Sequence, residues 1–457
     1  MRVVEVIMEK KSRHWYWKIL AIAGIIMLAF VPIAYLSDFA TWYADHVYPR
    51  FQAVLGRATG WFPFALGEVL MYVCAVYVTV TVIILLVFGI VALVRRSRKR
   101  TTGTGFVVQE DAAKSAERTT GTGFVVHEDA AKPAGEDTAN QADPAPFPAP
   151  RRSRFLPRYM KVFLACVVLG LWLYVFNWWI PYHDYVLSKK DHQKEFAYEV
   201  LFYAHNELAK QINEACLAIK RDESGKIIYP SRDEAWDSVV RAMQSVSGEY
   251  GRLKGYYPMP KVAMCSDVLE WMNIGGYTYP YTLELTYNKY IDNLYFYNLL
   301  AHEAAHHKGY YKENEAMFLS FYACRASEDP MMVMGGLWDI YWRVYDALTT
   351  ASEGLDAQGV KFSDEQKAYF ASHYVEILPQ AYDDFYGARE EAQEAYEEDD
   401  HPLEEYRETA EQAADVGWDT QAELIGEYSY DGVLQLVLEF YAGLMTDEEY
   451  FLGGNKQ

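Results

Sequence analysis

Apolar residues in this chain gather into three long, nearly uninterrupted runs, after which the pattern changes to the mixed periodicity of a folded domain. The runs lie at residues 19–36, within 62–94, and at 162–180. Each approaches the twenty or so residues that a helix needs to cross a bilayer. Trp15, Tyr16 and Trp17 flank the first run and Trp178 and Trp179 close the third, as interfacial aromatics do. The first run lacks a small-x-small cleavage site and further runs follow it, so it reads as an anchor rather than a cleaved signal peptide.

Basic residues orient these spans. Lys10, Lys11, Arg13 and Lys18 precede the first; Arg95, Arg96, Arg98, Lys99 and Arg100 follow the second; Arg151, Arg152, Arg154, Arg158 and Lys161 precede the third. Three crossings put all three clusters on one side, which the positive-inside rule makes cytoplasmic. The expectation is a multi-pass protein of a bacterial cytoplasmic membrane, its N-terminus cytoplasmic and everything after Pro181 extracytoplasmic. Residues 1–94 then form a two-span segment, 95–160 a cytoplasmic loop, 161–181 the third span and 182–457 an outer domain.

The loop holds an internal repeat. Thr101-Thr102-Gly103-Thr104-Gly105-Phe106-Val107-Val108 recurs as Thr119-Thr120-Gly121-Thr122-Gly123-Phe124-Val125-Val126, and a Pro/Ala-rich stretch follows through Pro150. So few apolar residues cannot offset the entropy of ordering, and the segment is expected to be disordered. Its Gly-x-Gly has no Lys-Ser/Thr after it and opens no helix, which excludes a phosphate cradle.

In the outer domain, helical patterns cover about 191–221 and 231–245, short strands and turns are expected over 258–280, and 282–287 alternates polar and apolar side chains as a half-exposed strand does. Helical periodicity returns at 335–348, 365–386 and 432–444, with Pro379 expected to bend or end the second of these. The fold class is a mainly α membrane protein: three transmembrane helices plus a C-terminal α+β domain with a small sheet and a largely helical remainder.

Charge and cysteines narrow the function. A net charge of -21 over 457 residues, with the basic residues clustered beside the spans, argues against a nucleic-acid partner. The acidic stretch 390–411 has no Asp-x-Asp-x-Asp-Gly loop and reads as solvated surface rather than a calcium site. Five cysteines make no framework; Cys74 and Cys166 lie in spans, and no Cys-x-x-Cys occurs among the rest.

The chemistry gathers in His302-Glu303-Ala304-Ala305-His306. Four residues apart on a helix, His302 and His306 share a face and can offer two imidazole nitrogens to one metal ion. Glu303 sits beside that face, where a carboxylate can take a proton from water. From composition, His-acid-x-x-His is expected by chance about 0.04 times in this chain, so its setting matters. Tyr297 to Ala301 lead in with helix-compatible residues, Gly309 can end the helix, and a second helical pattern runs over 312–326. A catalytic zinc takes three side chains and leaves a position for water. Glu313 and Glu315 are the candidates for the third. Glu313 is favoured because it shares a face with Ala316, Met317, Ser320, Phe321 and Cys324; Glu315, with Leu319 and Tyr322, is the alternative.

Glu313-Asn314-Glu315-Ala316 is similar to the Glu-x-x-Ala segment of the glutamate zincins, although Met317 stands where an acid or amide often follows and the gap from His306 is short. Lys312 occupies the place of a third histidine in the metzincin pattern, which therefore fails. More closely, the chain resembles a family of uncharacterised bacterial three-span membrane proteins with an extracytoplasmic HExxH domain. Pro260-Lys261-Val262, Gly275-Gly276-Tyr277-Thr278-Tyr279-Pro280 and the stretch from His302 to Ala316 carry that resemblance. It implies a zincin-like zinc metallopeptidase domain and supplies no substrate.

The expected reaction is hydrolysis of a peptide or protein substrate, with Zn2+ held by His302, His306 and Glu313 and with Glu303 as general base. One of Tyr279, Tyr310 and Tyr311 is expected to stabilise the oxyanion, and 282–287 to act as an edge strand that binds extended peptide. The alternative is an inactive zinc-stabilised binding or signalling module, or an envelope scaffold.

Overall fold

The computed structural model describes residues 2–116, 155–184, 187, 196–358, 361–401, 404–414, 416 and 431–446. Helices dominate, as the periodicity requires. α1 (Arg2–Ile33) is followed by two short helices, α2 (Ser37–His46) and α3 (Tyr48–Thr59), then by α4 (Leu66–Ala116). α5 (Phe155–Tyr174) passes through a π-helical turn at Val175–Trp179 into α6 (Ile180–Tyr182). Among the described residues, three stretches are long and apolar enough to cross a membrane: Trp15–Ile33, Leu66–Val94 and Leu156–Tyr182. This is a mainly α membrane protein. The first copy of the repeat continues α4 as helix, and the rest of the expected disordered loop, 117–154, lies outside the described residues.

The chain forms two compact units, Met1–Val69 with Val162–Gln457, and Leu70–Lys161. In the second unit the Thr81 hydroxyl, bonded to the Tyr77 carbonyl at 2.7 Å, also meets the Tyr159 hydroxyl. The first unit contains the remaining helices: α7 (Tyr198–Ala218), α8 (Arg232–Ser245), α9 (Ser266–Trp271), α10 (Tyr295–His307), α11 (Glu313–Arg325), α12 (Pro330–Ala357), α13 (Asp364–His373), α14 (Pro379–Glu397) and α15 (Asp431–Leu444). Ser231 caps α8 through a reciprocal box with Glu234. Pro379 neither bends nor ends a helix but opens α14, where its missing N–H has no partner to lose.

Three short strands, β1 (Lys261–Val262), β2 (Gly276–Tyr279) and β3 (Glu284–Tyr287), make a sheet of order β1-β3-β2. β3 is central, parallel to β1 and antiparallel to β2. Asn288 N donates to Gly275 O at 2.7 Å, which makes 275/288 a hydrogen-bonded pair and, by alternation, 277/286 and 279/284 too. Gly276 and Thr278 therefore turn their backbone groups away from β3, toward the free edge. α9 interrupts the stretch expected to be strands and turns.

The large core packs α7, α8, α10, α11, α12, α14 and α15 together. α12 reaches α10 and α11 through two adjacent glycines. A Cβ on Gly335 would lie 2.1 Å from the Leu294 carbonyl oxygen at the start of α10, and one on Gly336 would lie 2.3 Å from Cys324 Sγ on α11. A second core joins the C-terminal ends of the first and third spans to α2 and α3, and it includes Tyr48, Ile180, Leu283 and Tyr311. The segment between the first two spans is thus part of the folded domain.

Buried charges fasten these parts. Glu284 accepts from Leu66 N and Gly67 N, capping the second span, and pairs with Lys261 Nζ. Glu68 accepts from Met264 N at 2.7 Å and from the Tyr277 hydroxyl at 2.9 Å. Arg252 bridges Asp45 of α2 and Asp184 just beyond the third span, and Asp184 also accepts from Thr41 Oγ1. Arg252→Ala leaves Asp184 buried and without its cation. We expect a loss of about 3–5 kcal/mol, read as a lower unfolding temperature of the detergent-purified full chain. The double variant Arg252→Met, Asp184→Leu should recover most of it, because neither charge then remains.

Candidate functional site

α10 ends in a Schellman motif. Tyr310 N donates to Ala305 O at 3.1 Å and Gly309 N to His306 O at 2.9 Å, with Gly309 at φ +91°. Gly309 is needed twice over, since a Cβ there would also meet the Tyr48 ring at 3.0 Å. The reversal brings the Tyr310 carbonyl to His306 and starts α11 back toward α10. A Ser320 hydroxyl donating to the Asn298 carbonyl at 2.9 Å ties the two helices further along.

The result is one cluster. His302 Nε2 lies 3.2 Å from Glu313 Oε2 and His306 Nε2 lies 3.5 Å from Glu313 Oε1. One ligand-type atom from each of His302, His306 and Glu313 lies within 4.8 Å of the others, which makes this the group of described residues able to hold a metal ion. Glu313 is on the cluster and Glu315 is not. Glu315 is buried and accepts a hydrogen bond from Leu187 N at 3.1 Å.

Neighbours set the orientation of each group. His306 Nδ1 donates to Tyr310 O at 2.8 Å, which fixes the ring with Nε2 toward the cluster. The Tyr311 ring stacks on His306, centroids 5.9 Å apart. Tyr48 donates to His307 O at 3.1 Å and so accepts from Tyr311, their hydroxyls 3.0 Å apart. His307 is not part of the cluster. Its Nδ1 donates to Leu283 O at 2.9 Å and its Nε2 faces the Gln52 amide of α3. Glu303 is buried, and its carboxylate accepts from Thr278 Oγ1 of β2 at 2.8 Å.

Electrostatics follow from this packing. Burial pushes His306 down, but the Glu313 carboxylate, the Glu303 charge and the Tyr310 carbonyl outweigh it and hold the imidazole at about 9. Burial would raise Glu313, yet the two histidines facing it keep it well below the usual carboxylate range. Glu303 is pushed up by burial against the pull of His306, His302 and Thr278. His307, desolvated beside Lys308, falls to about 3 and stays neutral. The Glu313 carboxylate thus lies between two imidazoles, with the buried Glu303 carboxyl alongside.

Two expectations change. The stretch 282–287 is no edge: its strand β3 is bonded on both sides, so substrate cannot pair with it. All four β3 residues are buried; polar Glu284 is covered because it pairs with Lys261 and caps the second span. Among the described residues, the free edge beside the cluster is β2. Of the three tyrosines, Tyr311 lies on a cluster histidine, while Tyr310 turns its ring to Arg252, 5.0 Å from the guanidinium carbon. Sequence reasoning missed Thr278, Tyr48 and Gln52. The first stood inside the segment Gly275 to Pro280 with nothing to mark its hydroxyl as a partner of Glu303.

Fold and site together define a mainly α membrane protein with a half-buried His-Glu cluster beside a small mixed sheet. The chain belongs to the family described as Protein of unknown function (DUF3810), which matches residues 148–438 and so takes in the third span and the cluster. No curated protein and no solved structure matches the chain.

Proposed function

We propose that this protein is a membrane-anchored zinc metallopeptidase. The observation that carries the reading is the convergence of His302, His306 and Glu313 within 4.8 Å, with the buried carboxyl of Glu303 one residue along α10. Two imidazoles and a carboxylate, one ring oriented by a backbone carbonyl, are a donor set that suits zinc, and among the described residues no cysteine joins them. A zinc ion held there would supply a Lewis acid able to polarise a peptide carbonyl and acidify water.

The chain's own groups do the rest. Glu303 accepts the proton of the attacking water and delivers it to the leaving amine; its burial raises its affinity for a proton and so strengthens the carboxylate as a base. Thr278 holds the Glu303 carboxylate in place. The outward backbone groups of Gly276 and Thr278 align an extended peptide on β2 by adding a strand. The basic clusters beside the spans support a cytoplasmic N-terminus and an extracytoplasmic site, in the cytoplasmic membrane of a bacterium.

Zinc stoichiometry of the purified full chain tests the reading. We expect about one zinc per chain, lost in His302→Ala and Glu313→Ala and kept in Glu315→Ala. Zinc absent from the unmutated protein after exposure to zinc, or retained in the two ligand variants, would sink it. The full chain is required because Tyr48, Ile180 and Tyr311 share one core.

A further inference from the structure

We infer that the substrate of this site is a polypeptide anchored in the same membrane and cut in the extended stretch that first leaves the bilayer. This rests on the peptidase reading and adds the substrate class to it.

Two sets of contacts put the cluster at the membrane surface. Tyr311, stacked on His306, meets Trp178 edge-on at 6.4 Å. Trp178 belongs to the third span and stacks on Tyr174 at 5.1 Å and on Tyr182 at 4.8 Å, a ladder of aromatic rings along the span's outer end. Rings of this kind sit at headgroup level. Beside Glu313, Lys312 Nζ stands 4.3 Å over the Tyr182 ring. A second aromatic group marks the same level: Trp61 is 90% exposed, with Phe62 and Phe64 also exposed, just before the second span. Thr59, in the same connection, donates its hydroxyl to Thr282 O at 3.1 Å and accepts from Lys261 Nζ at 2.9 Å, which sets the sheet directly on that belt.

β2 gives the direction. It ends in Tyr279, whose ring packs on Gly67 at the start of the second span so closely that a Cβ there would lie 2.5 Å from it. The next carbonyl, Pro280 O, accepts from Asn177 Nδ2 of the third span at 2.9 Å. One residue before Tyr279, Thr278 holds Glu303. The free edge of β2 therefore climbs from the outer ends of two spans to the general base. At about 3.3 Å per residue, a chain laid along it meets Glu303 within roughly five residues of the bilayer. An anchored polypeptide arrives at this edge already extended and confined to its plane, whereas a soluble peptide has to enter the headgroup layer to reach it.

Co-reconstitution separates this from the parent reading. The full chain, loaded with zinc, is placed in phosphatidylcholine and phosphatidylglycerol liposomes with a single-span reporter carrying a randomised linker of about twelve residues next to its span. A second reporter carries the same linkers beyond a rigid helix of about thirty residues, some 45 Å long, which keeps membrane confinement but removes the position. The third substrate is the linker library as free peptides, and Glu303→Gln is the blank. We expect the first reporter to be cut at least tenfold faster than the second, with cuts clustered within about eight residues of the span. Equal cutting of the two reporters, or free peptides cut as fast as the first, overturns the inference and leaves the peptidase. No cutting of any of the three overturns the peptidase reading, and this inference with it.

Discussion

Glu303→Gln removes peptide hydrolysis and leaves the metal in place. The amide is nearly isosteric with the carboxylate, still accepts the Thr278 hydroxyl bond, and sits outside the trio of ligand-type atoms. What it cannot do is take a proton. General bases contribute roughly 10²–10⁴-fold, so kcat should fall at least about a hundredfold, with KM changed much less because the edge of β2 is untouched. Zinc content beside activity is the decisive pair of measurements. Loss of both would mean that Glu303 supports the fold rather than the reaction, and retention of activity would remove it from the mechanism.

Gly335→Ala prevents the folded protein from accumulating. The added methyl would stand 2.1 Å from the Leu294 carbonyl oxygen, well inside van der Waals contact, and neither a Cβ nor a main-chain carbonyl can move aside by changing rotamer. Nothing can rotate away; α12 must lift off α10, opening the largest core along its whole contact. Overpacking of ordinary side-chain sites costs about 1–3 kcal/mol, and a clash of two backbones should exceed that. The readout is the yield of monodisperse protein in detergent and its unfolding temperature, beside Gly354→Ala on the same helix, where a Cβ meets nothing within 4 Å. Equal behaviour of the two variants would show that α12 and α10 are less closely packed than described.

Much of this was legible in the sequence, for definable reasons. Four-residue spacing puts His302 and His306 on one face whatever surrounds them, and the face Glu313 shares with Ala316, Ser320, Phe321 and Cys324 distinguishes it from Glu315. The three spans follow from length and apolarity alone. Other features depend on partners far away in the chain. Alternation at 282–287 suggested a strand with one wet side, but burial of Glu284 and Thr286 depends on a lysine in another strand and a helix end more than two hundred residues upstream. Which strand lies at the edge is a property of pairing order, which no local pattern encodes. Tyr48 and Gln52 belong to a short connection without a continuous apolar stripe, and their roles exist only because His307 and Tyr311 come to meet them.

Those meetings span 255 residues from Gln52 to His307 and 263 from Tyr48 to Tyr311. α3 leaves the ribosome long before α10 is made, and both flanking spans must be inserted before the two can touch. Contacts between such distant parts of a chain carry the full entropy of closing the loop between them, and they form late. The element expected to dock late is therefore the one that buttresses His306 through Tyr311. Until α3 docks, Tyr311 lacks the Tyr48 hydroxyl that accepts from its own, so the ring stacked on His306 is fastened at its far end only in the assembled protein.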